Sequence, residues 1–111
     1  MTNDPMVPLG VLEEQVLVAV LRTQDEAYGM EVRREIEQVT GRDLAIGAVY
    51  ATLDRLERKK LLTSRRTHGA GPSRRQFALS VRGARALAET RAMRERLWKG
   101  IDLQALLGIA H

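Results

Sequence analysis

The sequence predicts a mainly α-helical fold that carries one small β-hairpin. Three stretches within residues 9–60 place apolar residues at intervals of three and four, the period of a helix with one buried face. Two alternating stretches then flank the turn residues Gly-Ala-Gly-Pro, which is typical of a hairpin. A longer helical stretch begins at residue 81. Three short helices followed by a hairpin are typical of a winged helix-turn-helix.

Composition is that of a small globular protein. The chain has 111 residues, 44% of them hydrophobic and 29% charged, which indicates one folded domain with a modest core. It contains no cysteine, so disulfides, thiolate zinc sites and cysteine nucleophiles are excluded. The sequence has no apolar run that is long enough to span a membrane. Its N-terminus lacks the basic segment followed by an apolar segment that is typical of a signal peptide. We therefore expect a cytoplasmic protein without a membrane partner.

Charge is distributed unevenly along the chain. Residues 1–41 carry three Arg against eight Asp and Glu, whereas residues 42–85 carry eleven Lys and Arg against three Asp and Glu. The basic segment contains the third helix and the hairpin. A concentrated positive charge suits a polyanionic partner, although a basic segment can also be an ordinary solvated face.

The first helix, over residues 9–22, has an apolar stripe that is wider than a surface helix requires. Leu17 and Leu21 extend the stripe beyond the arc that one core contact would fill. This excess predicts a second contact, made with a partner. The second helix lies within residues 25–41 and ends at Gly41, a typical C-terminal cap. Its apolar face is predicted to consist of Tyr28, Val32, Ile36 and Val39.

The third helix, over residues 45–60, has an unusual polar face. Its apolar face is regular, but the opposite face begins with Gly47, Ala48 and Ala51 and ends with Arg55 and Arg58. A solvent-exposed helix normally carries long polar side chains along its whole length. After the hairpin, whose strands lie within residues 61–68 and 74–80, Ser80 is predicted to cap a long helix over residues 81–99. An apolar tail follows it.

Four segments together resemble the PadR family of bacterial transcriptional regulators. They read LGVLEEQVLVAVL, AYGMEVRREIE, IGAVYATLDRLERKKL and RRQFALSVRGARAL, and they cover about residues 9–88. The resemblance implies a dimeric winged helix-turn-helix repressor whose last long helix forms the dimer. Residues 1–80 would then be the DNA-binding domain, and residues 81–111 the dimerisation helix with its apolar tail.

Two positions depart from the family pattern. Ala45 stands where the family often has a Ser that caps the third helix, and Lys60 stands where it commonly has Gly. A missing N-cap hydroxyl and a non-glycine residue in a left-handed conformation each cost about 1 kcal/mol. Both departures are expected to weaken the ends of the third helix without altering its exposed face.

The bare helix face is explained if the third helix enters the major groove of DNA through its N-terminal part. Gly47, Ala48 and Ala51 would let the backbone approach bases and phosphates closely. The Tyr50 hydroxyl is expected to reach a phosphate, unless its ring is simply packed. Arg55 is expected to meet the DNA backbone or a guanine, unless it pairs with a neighbouring carboxylate. Asp54 is expected to hold a nearby Arg in place.

The hairpin supplies a second group of candidate DNA contacts. Wing arginines typically touch phosphates or enter the minor groove, where they respond to groove width. The positions are Arg65, Arg66, Arg74 and Arg75.

The C-terminal part of the chain holds the candidate dimer contacts. Trp98 is the only tryptophan, and it either anchors the dimer interface or faces its two-fold mate across a slot for a small aromatic effector. The resemblance implies the effector, and Met93 and Leu97 would line the same slot. The residues expected at the dimer interface are Leu17, Leu21, Leu87, Leu97, Trp98 and Ile101.

An enzyme is not indicated. The two histidines, His68 and His111, accompany no nucleophile and carboxylate in one motif, and no phosphate-binding loop or metal-ligand spacing is present. We expect no cofactor. The sequence therefore predicts a DNA-binding regulator that recognises a pseudo-palindromic operator as a homodimer. The alternative is a winged-helix module that binds protein or RNA, because fold alone does not determine function.

Overall fold

The computed structural model describes residues 8–69 and 71–108, and it confirms a mainly helical fold with a two-stranded antiparallel hairpin. Ile109 of the expected apolar tail and Ala70 of the hairpin tip lie outside the described residues. A single 3₁₀ turn, Gln24–Glu26, follows the first helix. The remaining elements are α1 (Val11–Thr23), α2 (Gly29–Thr40), α3 (Ile46–Arg58), β1 (Leu62–Arg66), β2 (Arg75–Leu79), α4 (Val81–Trp98) and α5 (Leu103–Leu106).

The core forms where α1, α2, α3 and the base of the hairpin meet. Phe77 is its largest fully buried side chain, and it comes from β2. The Phe77 amide donates a hydrogen bond to the Ala27 carbonyl at 2.9 Å, so the hairpin is tied to the turn between α1 and α2. This bond holds the wing beside the helices. The other buried apolar residues are Val16, Leu17, Ala19, Val20, Ala27, Val32, Ile36, Leu44, Val49, Leu53, Leu56, Leu61, Leu62 and Ala86.

The placement of Leu17 at a dimer interface is wrong. Its side chain is fully buried within the subunit, at 0% exposure, and therefore has no surface left for a partner. The excess apolar surface predicted for α1 nevertheless exists. It consists of Val11, Val18 and Leu21, which are 68%, 38% and 49% exposed. The helical period therefore assigned Leu17 wrongly to the second contact and missed Val11 and Val18.

The ends of α2 and α3 follow the expectations from sequence. Gly41 caps α2 in the left-handed conformation, with a φ of 74°. Ala45, at the N-cap of α3, offers no side-chain hydrogen bond. Lys60 has a φ of 67°, the left-handed region in which glycine is normally preferred. Val39, expected on the buried face of α2, is instead 59% exposed.

Helix α4 starts inside the fold and ends outside it. The Ser80 hydroxyl accepts a hydrogen bond from the Gly83 amide at 2.9 Å, which confirms the predicted cap. Ala86 and Thr90 are buried against the core, whereas Leu97 and Trp98 are 71% and 51% exposed. All residues of α5 are exposed as well. No helix in the described part of the chain is both long and apolar enough to span a bilayer.

Candidate nucleic-acid interface

The N-terminal half of α3 presents a bare surface to solvent. Gly47, Ala48 and Ala51 are all exposed, and a Cβ atom built on Gly47 would meet no other atom within 4 Å. The opposite side of α3 is buried through Val49 and Leu53, which are both 0% exposed. The small residues therefore lie on the outer face of the subunit, where a large partner can approach the helix backbone.

Tyr50 is packed and accessible at the same time. It is 39% exposed, and its ring lies over Gly29 at the start of α2. A Cβ atom on Gly29 would stand only 2.4 Å from the ring, far inside the contact limit. Gly29 therefore leaves space for Tyr50, which explains in physical terms why a glycine begins α2. The ring joins α2 to α3 and leaves part of the tyrosine at the surface.

Arg55 forms an ion pair, but with a residue distant in sequence. Its Nε lies 3.3 Å from the Glu13 carboxylate of α1, and the Lys59 Nζ lies 2.9 Å from the same oxygen. The expected alternative partners of Arg55 were the nearby carboxylates of α3. Burial raises the pKa of Glu13, but hydrogen bonds from Lys59, the Gly10 amide and Arg55 outweigh it and hold that pKa below the usual range.

Arg75 is clamped between two carboxylates of α3. Its guanidinium reaches Asp54 at 2.8 Å and Glu57 at 2.5 Å, which confirms that Asp54 holds an arginine in place. The hydrogen bond to Asp54 raises the pKa of Arg75; burial opposes the rise, and Glu57 adds to it. Glu57 also accepts a 2.7 Å hydrogen bond from the Ser64 hydroxyl on β1. Arg75 thus connects the wing to α3.

The other wing arginines are more accessible. Arg74 stacks on the Tyr28 ring, with its guanidinium carbon 3.8 Å from the ring centroid. Arg65 and Arg66 are exposed on β1, where Arg66 pairs with Arg75 in the strand register. The structure therefore holds Arg75 against α3 and Arg74 against Tyr28, both in contacts within the subunit. Arg65 lines a shallow cleft with Gln24 and Asp25 of the 3₁₀ turn.

Sequence reasoning missed one charged residue of this surface, Glu13. Glu13 lies in the acidic first segment, and its contact with α3 spans 42 residues, so no local pattern indicates it. Arg58 is exposed and makes no ion pair within residues 8–69 and 71–108. At 100° per residue it lies about 20° from Ala51, which places it on the bare face.

A second surface lies on the outer side of α1 and α2. An open groove of about 460 Å³ has an apolar floor that includes Val18, Ile36 and Val39. Two ion pairs lie at its margin: Arg22 with Glu35 at 2.6 Å, and Arg94 of α4 with Glu14. The expected interface residues Leu21, Leu97, Trp98 and Ile101 are exposed, whereas Leu87 and Met93 are partly buried.

Comparison with known proteins gives concordant matches. The model of a family described as "Transcriptional regulator PadR-like family" matches residues 16–89. Transcriptional regulator YqjI of Escherichia coli is 30% identical over 96 residues, which cover 85% of this chain but only 45% of YqjI. A PadR family transcription regulator of Clostridium difficile superposes with a TM-score of 0.68 at 25% identity, covering 87% of this chain and 99% of that one. A regulator of the same family from Eggerthella lenta gives a TM-score of 0.63 at 26% identity, with 89% and 88% covered.

Proposed function

Since this chain belongs to the PadR-like family of transcriptional regulators, we propose that it is a sequence-specific DNA-binding repressor. The observation that carries the proposal is the exposed, bare N-terminal half of α3 beside an arginine-bearing hairpin. The role also requires a cytoplasmic location, because the chromosome lies there. No catalytic step is part of the proposed function.

The bare face gives α3 a way to approach DNA closely. With no side chain longer than a methyl group at Gly47, Ala48 and Ala51, the helix can sit deep in the major groove. The first turn of a helix also offers unbonded amide groups and a partial positive charge to a phosphate. The accessible part of Tyr50 would reach a phosphate at the groove edge. Arg58 would contact the DNA backbone beyond the helix tip, and Arg55 would do so only when it leaves its ion pair with Glu13.

The wing would divide its arginines between two roles. Arg65 and Arg66 are exposed and would touch phosphates or the minor groove. Arg74 would contact the backbone from its stacked position on Tyr28. Arg75 would act mainly by holding the hairpin at a fixed angle to α3 through Asp54 and Glu57.

A homodimer would present two such surfaces together. The exposed apolar end of α4 and the exposed tail would pack on a second copy, with the α1–α2 groove as the receiving surface. Isolated helices as short as α5 are marginal in water, so packing on a second copy would stabilise it and bury its apolar side chains. Two α3 helices would then meet half-sites about one helical turn apart on a pseudo-palindromic operator. The proposed interface consists of Val18, Leu21, Leu87, Leu97, Trp98 and Ile101.

Trp98 would anchor this interface, and its 51% exposure in the single subunit is compatible with that role. A small aromatic effector stacked between two copies of Trp98, beside Met93 and Leu97, would be a further use of the same position. Such a ligand would lower operator affinity by favouring a dimer whose α3 helices cannot span both half-sites.

The competing function is a winged helix that binds a protein or RNA. Selection of bound duplexes from random DNA separates the two. We expect an inverted repeat whose half-sites lie about one helical turn apart. If the selection enriches no particular duplex sequence, operator recognition is contradicted. Preferential binding of single-stranded or duplex RNA would favour the competing function.

A further inference from the structure

The carboxylate of Glu13 is shared by two cations of α3. One of its oxygens lies 3.3 Å from Arg55 Nε and 2.9 Å from Lys59 Nζ. The Glu13 side chain is only 12% exposed, whereas the side chains of Arg55 and Lys59 are 43% and 49% exposed. A largely buried anion therefore pairs with two partly exposed cations at the surface proposed to bind DNA.

The positions of Arg55 and Lys59 around α3 show which part of its surface Glu13 neutralises. At 100° per residue, Arg55 lies about 40° and Lys59 about 80° from Ala51, both on the side of α3 that faces α1. On the other side, Asp54 and Glu57 hold Arg75. Carboxylates thus hold long cationic side chains at both edges of α3, whereas Arg58, near the middle of this face, makes no ion pair with the described residues.

We propose that Glu13 is a positioning residue that raises DNA specificity by keeping Arg55 and Lys59 away from phosphates. The inference rests on the proposed DNA-binding function. A cation that neutralises a phosphate releases a counterion and strengthens binding to every sequence. A cation already neutralised by a carboxylate contributes less of this sequence-independent attraction. Discrimination then depends more strongly on the contacts made by the bare face of α3.

Glu13→Gln isolates the charge of this residue. The Gly10 amide donates a 2.9 Å hydrogen bond to Glu13 at the start of α1, and Gln accepts the same bond. The helix cap is therefore retained while the anion is lost. Glu14→Gln is the matched control, because it makes the same change of net charge one residue away and releases Arg94 of α4 instead of α3 cations.

The experiment is a titration of a random-sequence duplex with wild type, E13Q and E14Q at several salt concentrations. Each additional phosphate contact steepens the logarithmic salt dependence by about 0.9, or roughly threefold in affinity for a fourfold change in salt. We expect E13Q to bind several-fold more tightly at low salt, with a slope steeper by roughly one to two per protomer. E14Q should leave the slope unchanged. Because Glu14 lies at the margin of the α1–α2 groove, light scattering must first show that E14Q has the same mass as wild type. An E13Q slope equal to that of E14Q, or weaker binding by E13Q, would overturn the inference.

A second variant tests the inference without altering α1. Lys59→Gln should leave the salt slope unchanged in the wild-type background, because Lys59 is already paired with Glu13. In the E13Q background, Lys59→Gln should lower the slope. A lower slope in the wild-type background would overturn the inference. Wild type that binds no duplex even at low salt would overturn the proposed function itself, whereas binding without the E13Q effect would overturn only the role of Glu13.

Discussion

At the scale of single residues, two glycines differ in what surrounds them. A Cβ atom on Gly83 would lie 2.1 Å from the Leu61 carbonyl oxygen, a backbone atom that cannot move aside alone. A Cβ atom on Gly47 would meet nothing within 4 Å. The first glycine is required for α4 to start against the hairpin base, and the second is required only if something outside the subunit approaches α3.

Gly83→Ala should therefore destabilise the fold, by about 1–3 kcal/mol as is typical of overpacking. Gly47→Ala should be neutral or slightly stabilising, because alanine favours a helix and no atom obstructs the methyl group. Urea denaturation followed by circular dichroism measures both. Equal unfolding free energies for the two variants would show that α4 can shift away from Leu61 at little cost.

The ion pairs of Glu13 predict a pH-dependent contribution to stability. The pKa of Glu13 in the fold lies below the ordinary value of 4.5, so the unfolded chain takes up the proton first as the pH falls. The stabilisation is present above that ordinary value and is lost as the pH falls through the lower pKa of the folded state. Wild type should exceed Glu13→Gln in stability by roughly 1–2 kcal/mol near neutral pH.

This difference should shrink as the pH falls below 4.5 and vanish once the Glu13 carboxyl is protonated in the folded state as well. Thermal unfolding across the pH range measures it. Glu95→Gln is the control, because the Glu95 side chain is 68% exposed and its pair with Arg91 should contribute little at any pH. A Glu13 difference that persisted undiminished in acid would show that the carboxylate charge is not its source.

At the scale of elements, the order of helices and strands was predictable because periodicity and caps are local. Ser80, Gly41 and the Gly-Ala-Gly-Pro turn each act within a few residues. The candidate site was predictable only in part. The bare face of α3 follows from its sequence, but the partners of Arg55 and Arg75 depend on how α1 and the wing pack against α3. The same limit explains why Leu17 was placed wrongly, because its position in the helical period fits either the core or an interface.

The hairpin provides a prediction that separates an arginine that stabilises the fold from an arginine that contacts DNA. Arg75→Ala should lower stability by roughly 1 kcal/mol, because two partly exposed carboxylates, Asp54 and Glu57, lose their shared cation. Arg65→Ala should leave stability unchanged, weaken binding to all duplexes and flatten the salt dependence by about one contact. Denaturation and duplex titration measure the two effects. Full stability of the Arg75 variant would show that the clamp does not hold the hairpin.

At the scale of the whole molecule, the subunit has two exposed surfaces that differ in the kind of partner they suit. The outer faces of α1 and α2 carry an apolar groove, and the end of α4 and the tail expose apolar side chains. α3 and the hairpin expose small residues and arginines. A homodimer would cover the first set of surfaces and leave the second free for DNA, so the two surfaces do not compete.

Leu97→Asp tests the pairing. Leu97 is 71% exposed, so the substitution should leave the subunit folded while placing a charge in the proposed interface. Light scattering should report monomers, and duplex affinity should fall because two linked half-sites bind more tightly than one. Arg85→Asp, on an exposed part of α4 nearer the core, should remain dimeric. A Leu97 variant that stays dimeric would place the interface elsewhere.

The central claim, that the bare face of α3 binds duplex DNA, is tested most directly by duplex titration of Ala51→Glu. Glutamate favours a helix, and Ala51 is exposed, so the fold should be retained while a carboxylate enters the proposed groove contact. The control is Ala88→Glu, the same change at an exposed position of α4. We expect Ala51→Glu to lose at least tenfold in affinity and Ala88→Glu to bind nearly as wild type does. Equal affinity of the two variants would contradict the claim.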